Sequence, residues 1–286
     1  MTTPAQQIRD LVASDTILMP GVYDAITARI AARLGFDIVF ISGYSVSAAR
    51  LGEPDFGFLT ESEMADAARS VTRVSNAPVI VDADTGYGNA VNVMRTVSDF
   101  QDAGAAGVFL EDQVWPKKCG HFAGKQVIAA PEHAAKIQAA ADARGERDLF
   151  IVARTDARQP LGVEEAIDRC LAYKEAGADA LFVEAPRSLE ELERIADALP
   201  PPLVANMIER GVTPHLSRSE LEQLGFQLIV CPLAALYAAA KAITDVLTEL
   251  RDQETTAAMV DRMLAFDEFG EIVGLADRYA DEARYS

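Results

Sequence analysis

Short apolar runs recur along the chain, each closed by polar residues and followed by a stretch with helical periodicity. The runs lie at 16–19, 37–41, 78–81, 107–110, 149–153, 180–183, 202–205 and 227–230. Each is rich in Val, Ile, Leu or Phe without polar alternation, the pattern of parallel strands buried on both faces. Helices are predicted between them at 24–34, 61–75, 92–103, 131–144, 162–176, 189–199, 217–224 and 234–250. Gly35, Gly104 and Gly177 each follow a predicted helix and supply the usual stop signal. Eight strand–helix units in about 250 residues predict a (β/α)₈ barrel of the TIM type. The alternative, an open doubly wound sheet, normally carries a glycine fingerprint after its first strand, and Pro20-Gly-Val-Tyr23 is not one.

Beyond residue 250 the strand pattern stops. Two more helices are predicted at 252–269 and 272–283, carrying Met259, Met263, Leu264, Phe266 and Phe269. Such a tail can pack on its own barrel or bury its apolar residues against a neighbouring subunit. No linker or low-complexity segment intervenes. We therefore expect one domain over 1–286, with a barrel at 1–250 and a C-terminal arm at 251–286.

Half of the 286 residues are hydrophobic, enough for a large core. No apolar run approaches the ~20 residues of a membrane helix. Residues 1–7 show neither the basic region nor the apolar core of a secretory leader. Cys119, Cys170 and Cys231 stand at unrelated spacings, which suits neither a disulfide framework nor a zinc site. A reducing cytoplasm is the expected location. The net charge of −18 argues against nucleic acid or an anionic membrane as partner.

In a barrel of this kind, chemistry gathers where the strands end. Those ends read Ser42-Gly43-Tyr44, Asp82-Ala-Asp84, Glu111-Asp112, Arg154-Thr-Asp156, Glu184 and Asn206. One acid there is an ordinary helix cap. Acids on several successive strands are a candidate cation site, and hard carboxylate oxygens suit Mg²⁺, with Mn²⁺ as the alternative. Zinc fits less well, because His121 is the only histidine close to the cluster. Gly86-Tyr-Gly88 is too short for a phosphate loop. His133, His215, Cys170 and Cys231 have ordinary structural settings. After Glu111 comes a polar loop holding Lys117, Lys118, Cys119, His121 and Lys125. A thiol among lysines is expected to ionise readily, and Gly120 and Gly124 allow the loop to bend.

These segments, with Lys117-Lys-Cys-Gly-His121 and Glu53-Pro-Asp-Phe-Gly57, occur in the order of a known family. The chain resembles the isocitrate lyase / phosphoenolpyruvate mutase superfamily over nearly its whole length. The cysteine in the loop resembles the carbon–carbon lyase branch, and the short lyases of methylisocitrate and alkylmalates in particular. The resemblance implies a homotetramer and a Mg²⁺ ion bound mainly by Asp84, with Asp82 and Glu111 contributing directly or through water. Ser42, Gly43 and Tyr44 would bind the 2-oxo acid half of a small dicarboxylate, and Arg154 a carboxylate. Cys119 would be the general acid, Gly120 and His121 would shape its loop, and Glu184 and Asn206 would orient the second carboxylate. Asp55 would support the metal site from behind, and Lys118 is a cation suited to stabilising an enediolate. Tyr44 or a metal-linked acid is the candidate base.

Two departures bear on the substrate. Phe122 and Tyr237 stand where the methylisocitrate pattern has arginines. A third carboxylate would lack those partners. Pro232 stands where the oxaloacetate hydrolases tend to carry serine. The expected function is therefore cleavage of a 2,3-dialkylmalate to pyruvate and a short carboxylate. Methylisocitrate cleavage and oxaloacetate hydrolysis or decarboxylation are the alternatives; phosphonate chemistry or a dicarboxylate binder without turnover fits less well.

Overall fold

The computed structural model describes residues 2–286 and closes eight parallel strands into a barrel in sequence order. The strands are β1 Ile17–Val22, β2 Val39–Ile41, β3 Val79–Asp82, β4 Gly107–Glu111, β5 Phe150–Thr155, β6 Ala180–Val183, β7 Leu203–Asn206 and β8 Leu228–Cys231. β8 returns to β1 with Ile17 opposite Leu228, so no sheet edge is left and the open-sheet alternative falls. All eight predicted strands form. Most of them end one to three residues later than the apolar pattern suggests, because the polar residues closing each run still belong to the ladder. Glu111 pairs with Arg154 and Asn206 with Val230. Asp82, Glu111, Arg154 and Asn206 therefore sit on the barrel rim rather than in free loops.

Two cores hold the architecture. One lies between strands and helices and includes Val81, Phe100, Leu110, Ile137, Ile151 and Tyr173. The other fills the barrel with the alternate strand residues Met19, Phe40, Ile80, Phe109, Phe150, Phe182 and Val230. Its floor is a helix the apolar reading omitted, Pro4–Ser14, which buries Ala5, Ile8 and Val12. The Thr3 hydroxyl caps it, and Pro4 occupies the first turn, a start signal visible in the chain. Arg9 on this helix ties it to the barrel through Asp148 at 2.7 Å and Asp179 at 3.1 Å.

The helix after β8 runs Ala234–Gln253 and buries none of its residues. Ile243 and Leu247 are each 57% exposed. The predicted pair of tail helices is instead a 3₁₀ segment, Ala257–Arg262, followed by helices Phe266–Ile272 and Leu275–Tyr285. Of the apolar stripe, Met259 is buried, whereas Met263, Leu264, Phe266 and Phe269 are exposed. Arg33 holds the tail to the barrel surface through Glu271 at 3.1 Å.

Candidate active site

The ends of β3 and β4 bring Asp82, Asp84 and Glu111 to one side of the barrel mouth. Asp82 accepts the backbone N–H of Gly43 at 3.2 Å and that of Asp84 at 3.1 Å. Asp84 sits at φ 47°, a left-handed conformation that a side-chain-bearing residue adopts at a cost. A Cβ on Gly43 would lie 2.9 Å from Asp82 Oδ2, so this glycine lets the β2 turn approach the carboxylates. Ser42 is buried beside it and caps the short helix Gly43–Val46.

Lys117 reaches Asp84 in this cluster. Its Nζ lies 2.7 Å from Asp55 Oδ1 and 2.6 Å from Asp84 Oδ1, with all three side chains buried. Lys118 is placed differently: its backbone is held by the Gln113 side chain, and its ammonium sits 5.8 Å from the centre of the Phe56 ring. Neighbouring loop residues point in different directions, and the sequence carries no period here to say which lysine turns inward.

The donor set fits a hard cation. Glu111 Oε1 is a buried carboxylate oxygen without a hydrogen-bond partner. Burial, and next the carboxylates around them against the pull of Lys117 and Arg154, pushes Asp84 up to about 7 and Glu111 well above its ordinary range. Among the described residues no group of three or more His, Cys, Asp or Glu side chains is placed to hold a metal ion.

Arg154, at the end of β5, is the hub of the opposite wall. It bonds Asp156 through Nε at 2.9 Å, Glu184 through Nη1 at 3.2 Å, and approaches Glu111 at 3.4 Å. Glu184 also accepts from Asn206 Nδ2 at 3.2 Å and faces His121 Nε2 at 3.1 Å. Burial raises its affinity for a proton, but Arg154 and His121 outweigh it and leave Glu184 below the ordinary range. The Val212 N–H donates to His121 Nδ1, which leaves Nε2 to carry the hydrogen toward Glu184.

The loop lies over this floor. Its feet pair as a short antiparallel bridge between Gln113 and Val127. At its tip the Cys119 N–H donates to the Asp55 carbonyl at 3.1 Å. A Cβ on Gly120 would lie 2.3 Å from Arg154 Nη2, so only glycine lets the tip come down this far. The thiol is buried, and burial followed by the charge of Asp55 pushes it up to about 12. In this arrangement desolvation and carboxylates outweigh Lys117.

Cys119, Lys117, Arg154, Tyr44, Ser42 and Glu111 enclose about 40 Å³ together with Ile208, Pro232 and Leu233. That is room for an ion or a water, far below the ~300–1,000 Å³ of an open ligand site. Larger clefts exist elsewhere, such as one of about 530 Å³ beside Trp115 and Lys136, but they lack the convergent acids. Tyr44 stacks edge-on to Phe122 at 6.5 Å and to Tyr237 at 6.4 Å, forming an aromatic wall. His133 lies away from the site, buried against the Tyr173 ring at 4.6 Å.

Fold and site together define a TIM-barrel enzyme whose carboxylates and buried cations converge at the C-terminal rim of the barrel. The chain belongs to the phosphoenolpyruvate phosphomutase family, whose model matches residues 8–251. It is 48% identical over 275 residues to the 2,3-dimethylmalate lyase of Eubacterium barkeri, covering 96% of this chain and 95% of that one. It is 55% identical over 274 residues to the chloroplastic carboxyvinyl-carboxyphosphonate phosphorylmutase of Arabidopsis thaliana, covering 94% and 81%. The structure of oxaloacetate acetylhydrolase with 3,3-difluorooxalacetate superposes with a TM-score of 0.94 at 35% identity, covering 99% and 97%. No helix is long and apolar enough to cross a membrane.

Proposed function

We propose that this chain is a Mg²⁺-dependent carbon–carbon lyase that cleaves a 2,3-dialkylmalate-type dicarboxylate, such as 2,3-dimethylmalate, to pyruvate and a short monocarboxylate. The observation that carries this reading is the buried Cys119 thiol, held by the loop in one small cavity with Glu111, Lys117 and Arg154. Cleavage between C2 and C3 of a 2-hydroxy acid leaves an electron pair on C3, which must receive a proton. A phosphoryl shift makes no such demand, and this separates the lyase reading from the phosphorylmutase that the 55% relative is named for.

The residues divide the work. Ser42, Gly43 and Tyr44 bind the half that becomes pyruvate. Asp82, Asp84 and Glu111 would hold a divalent cation, which would supply positive charge to the oxygens of that half. Arg154 pairs with the carboxylate at the other end, while Glu184 and Asn206 keep its guanidinium aimed. The C2 hydroxyl loses its proton to Tyr44 or to an acid of the β3–β4 group. The C2–C3 bond breaks, C2 becomes the ketone, and its electron pair passes into an enediolate of the C3 carboxylate. Lys117 offers charge to the developing anion. Cys119 then gives its proton to C3 and recovers one from water when the loop lifts.

Phe122, Tyr44 and Tyr237 favour alkyl groups over a third carboxylate, and so favour a dialkylmalate over methylisocitrate. The unburied Ala234–Gln253 helix and the apolar tail support a homotetramer assembled through the C-terminal helices. A cytoplasmic location is the companion proposal. Incubating the protein and Mg²⁺ with 2,3-dimethylmalate, methylisocitrate, oxaloacetate and phosphonopyruvate, with pyruvate, oxalate and phosphate read separately, tests the assignment. Preferential release of pyruvate from 2,3-dimethylmalate supports it; phosphate release or oxalate as the dominant product overturns it.

A further inference from the structure

The loop that carries Cys119 ends in a lysine that no step above uses. Lys125 lies at the loop's C-terminal foot, where the Val114 N–H donates to the Gln126 carbonyl at 2.8 Å and fixes the two strands of the loop. Its side chain turns inward and is wholly buried, as is Asp156. The ammonium has two partners. One is Asp156 Oδ1 at 2.6 Å, on the barrel rim; the other is the Gly120 carbonyl at 2.5 Å, on the loop tip.

These partners differ in kind. Asp156 is rigid, since its backbone N–H donates to Asp112 Oδ1 at 2.8 Å and its carboxylate takes two bonds from Arg154. Gly120 belongs to the tip, and its carbonyl can reach Lys125 only when the tip lies against Arg154 and Glu184. Lifting the loop to admit substrate therefore breaks the bond to Gly120 and leaves a buried ammonium with one partner fewer, which penalises the open state. The residue next to Gly120 is Cys119.

We propose that Lys125 is a positioning residue that latches the loop shut. Its ammonium couples the peptide beside Cys119 to the Asp156–Arg154 pair, so that the thiol and the carboxylate-binding guanidinium are set together. This rests on the reading of the Cys119 loop as a lid, but its test needs no substrate.

The experiment is alkylation of the full-length, ligand-free protein with iodoacetamide, followed by peptide mass spectrometry that reads Cys119 and Cys170 separately. Cys170 is fully buried within the helix Val163–Glu175 and reports general loosening. Lys125→Met removes the latch while Asp156 keeps its bonds to Arg154. Cys119 should then react about tenfold faster or more, with Cys170 unchanged. Loss of the Lys125 charge by itself acts in the opposite sense, since it raises the thiol's pKa. Lys125→Gln, which retains an N–H donor for the Gly120 carbonyl, should fall between parent and Lys125→Met. With an alkylmalate, kcat should fall more than KM rises. Equal acceleration of Cys119 and Cys170 in the Gln variant, or an unchanged Cys119 rate in either variant, overturns the latch. Absence of lyase turnover in the parent would count against the proposed reaction and leave the alkylation result to decide the latch alone.

Discussion

Lys117 places its ammonium between two carboxylates, 2.7 Å from Asp55 and 2.6 Å from Asp84. Burial alone favours its neutral form, but Asp55 and Asp84 outweigh burial and hold it charged. Removing it leaves two buried acids short of a partner beside the reacting centre. Lys117→Met should lower kcat/KM by about 100-fold or more. Lys118→Met removes only an ammonium resting on Phe56, so turnover should stay within about fivefold. Steady-state kinetics on both variants checks the pair. Equal losses would return Lys118 to the site.

The metal site supplies the second expectation. Asp84→Ala should abolish activity and reduce Mg²⁺ affinity by more than tenfold, with the circular dichroism spectrum unchanged. Excess chelator should silence the parent enzyme. Isothermal titration of Mg²⁺ into both proteins is the direct check, and equal affinities would move the cation elsewhere.

How much of this could be read from the chain follows from where polar residues interrupt apolar ones. All eight strands were legible because parallel strands buried on both faces are continuous apolar runs. Their ends were not, because Glu111, Arg154 and Asn206 carry the ladder one step past the apolar run, and a pattern reading stops at the first polar residue. The acids at the strand ends were legible all the same, because each stands where an apolar run stops. The first helix was missed although Thr3-Pro4 announces it, since the reading was anchored on strands. Within the loop, the sequence names the lysines without ranking them. Depth separates Lys117 and Lys125 from Lys118, and depth is set by Asp55, Asp84 and Asp156 from other strands and loops. The burial of the thiol is hidden from the sequence in the same way. Charge proximity is visible in a sequence, whereas desolvation is not.

His133 carries a pH prediction. Burial, and then the charge of Lys136, push its imidazole down to about 3, so the folded state holds it neutral. The unfolded chain binds its proton near pH 6.5. Stability from this group is therefore complete above pH ~6.5 and is lost as pH falls toward ~3. In His133→Leu, the urea midpoint should decline less steeply between pH 6.5 and 4 than in the parent. Parallel declines would show that other groups dominate.

Assembly is the fourth expectation. A helix of 20 residues with nothing buried, bearing Ile243, Leu247 and Leu250, is a face that calls for a partner. Sedimentation velocity should show a tetramer for the parent. Ile243→Asp combined with Leu247→Asp should shift it to smaller species. A parent that sediments as a monomer would remove the proposed assembly.

The central claim is that Cys119 donates the proton to the carbon left by C–C cleavage. Its most direct measurement is the single-turnover rate of pyruvate formation from 2,3-dimethylmalate by Cys119→Ala, alongside calorimetric binding of pyruvate with Mg²⁺. The account predicts a rate lower by roughly 10²–10⁴-fold, with product affinity within about threefold of the parent. Pyruvate formation at the parent rate in Cys119→Ala would contradict it.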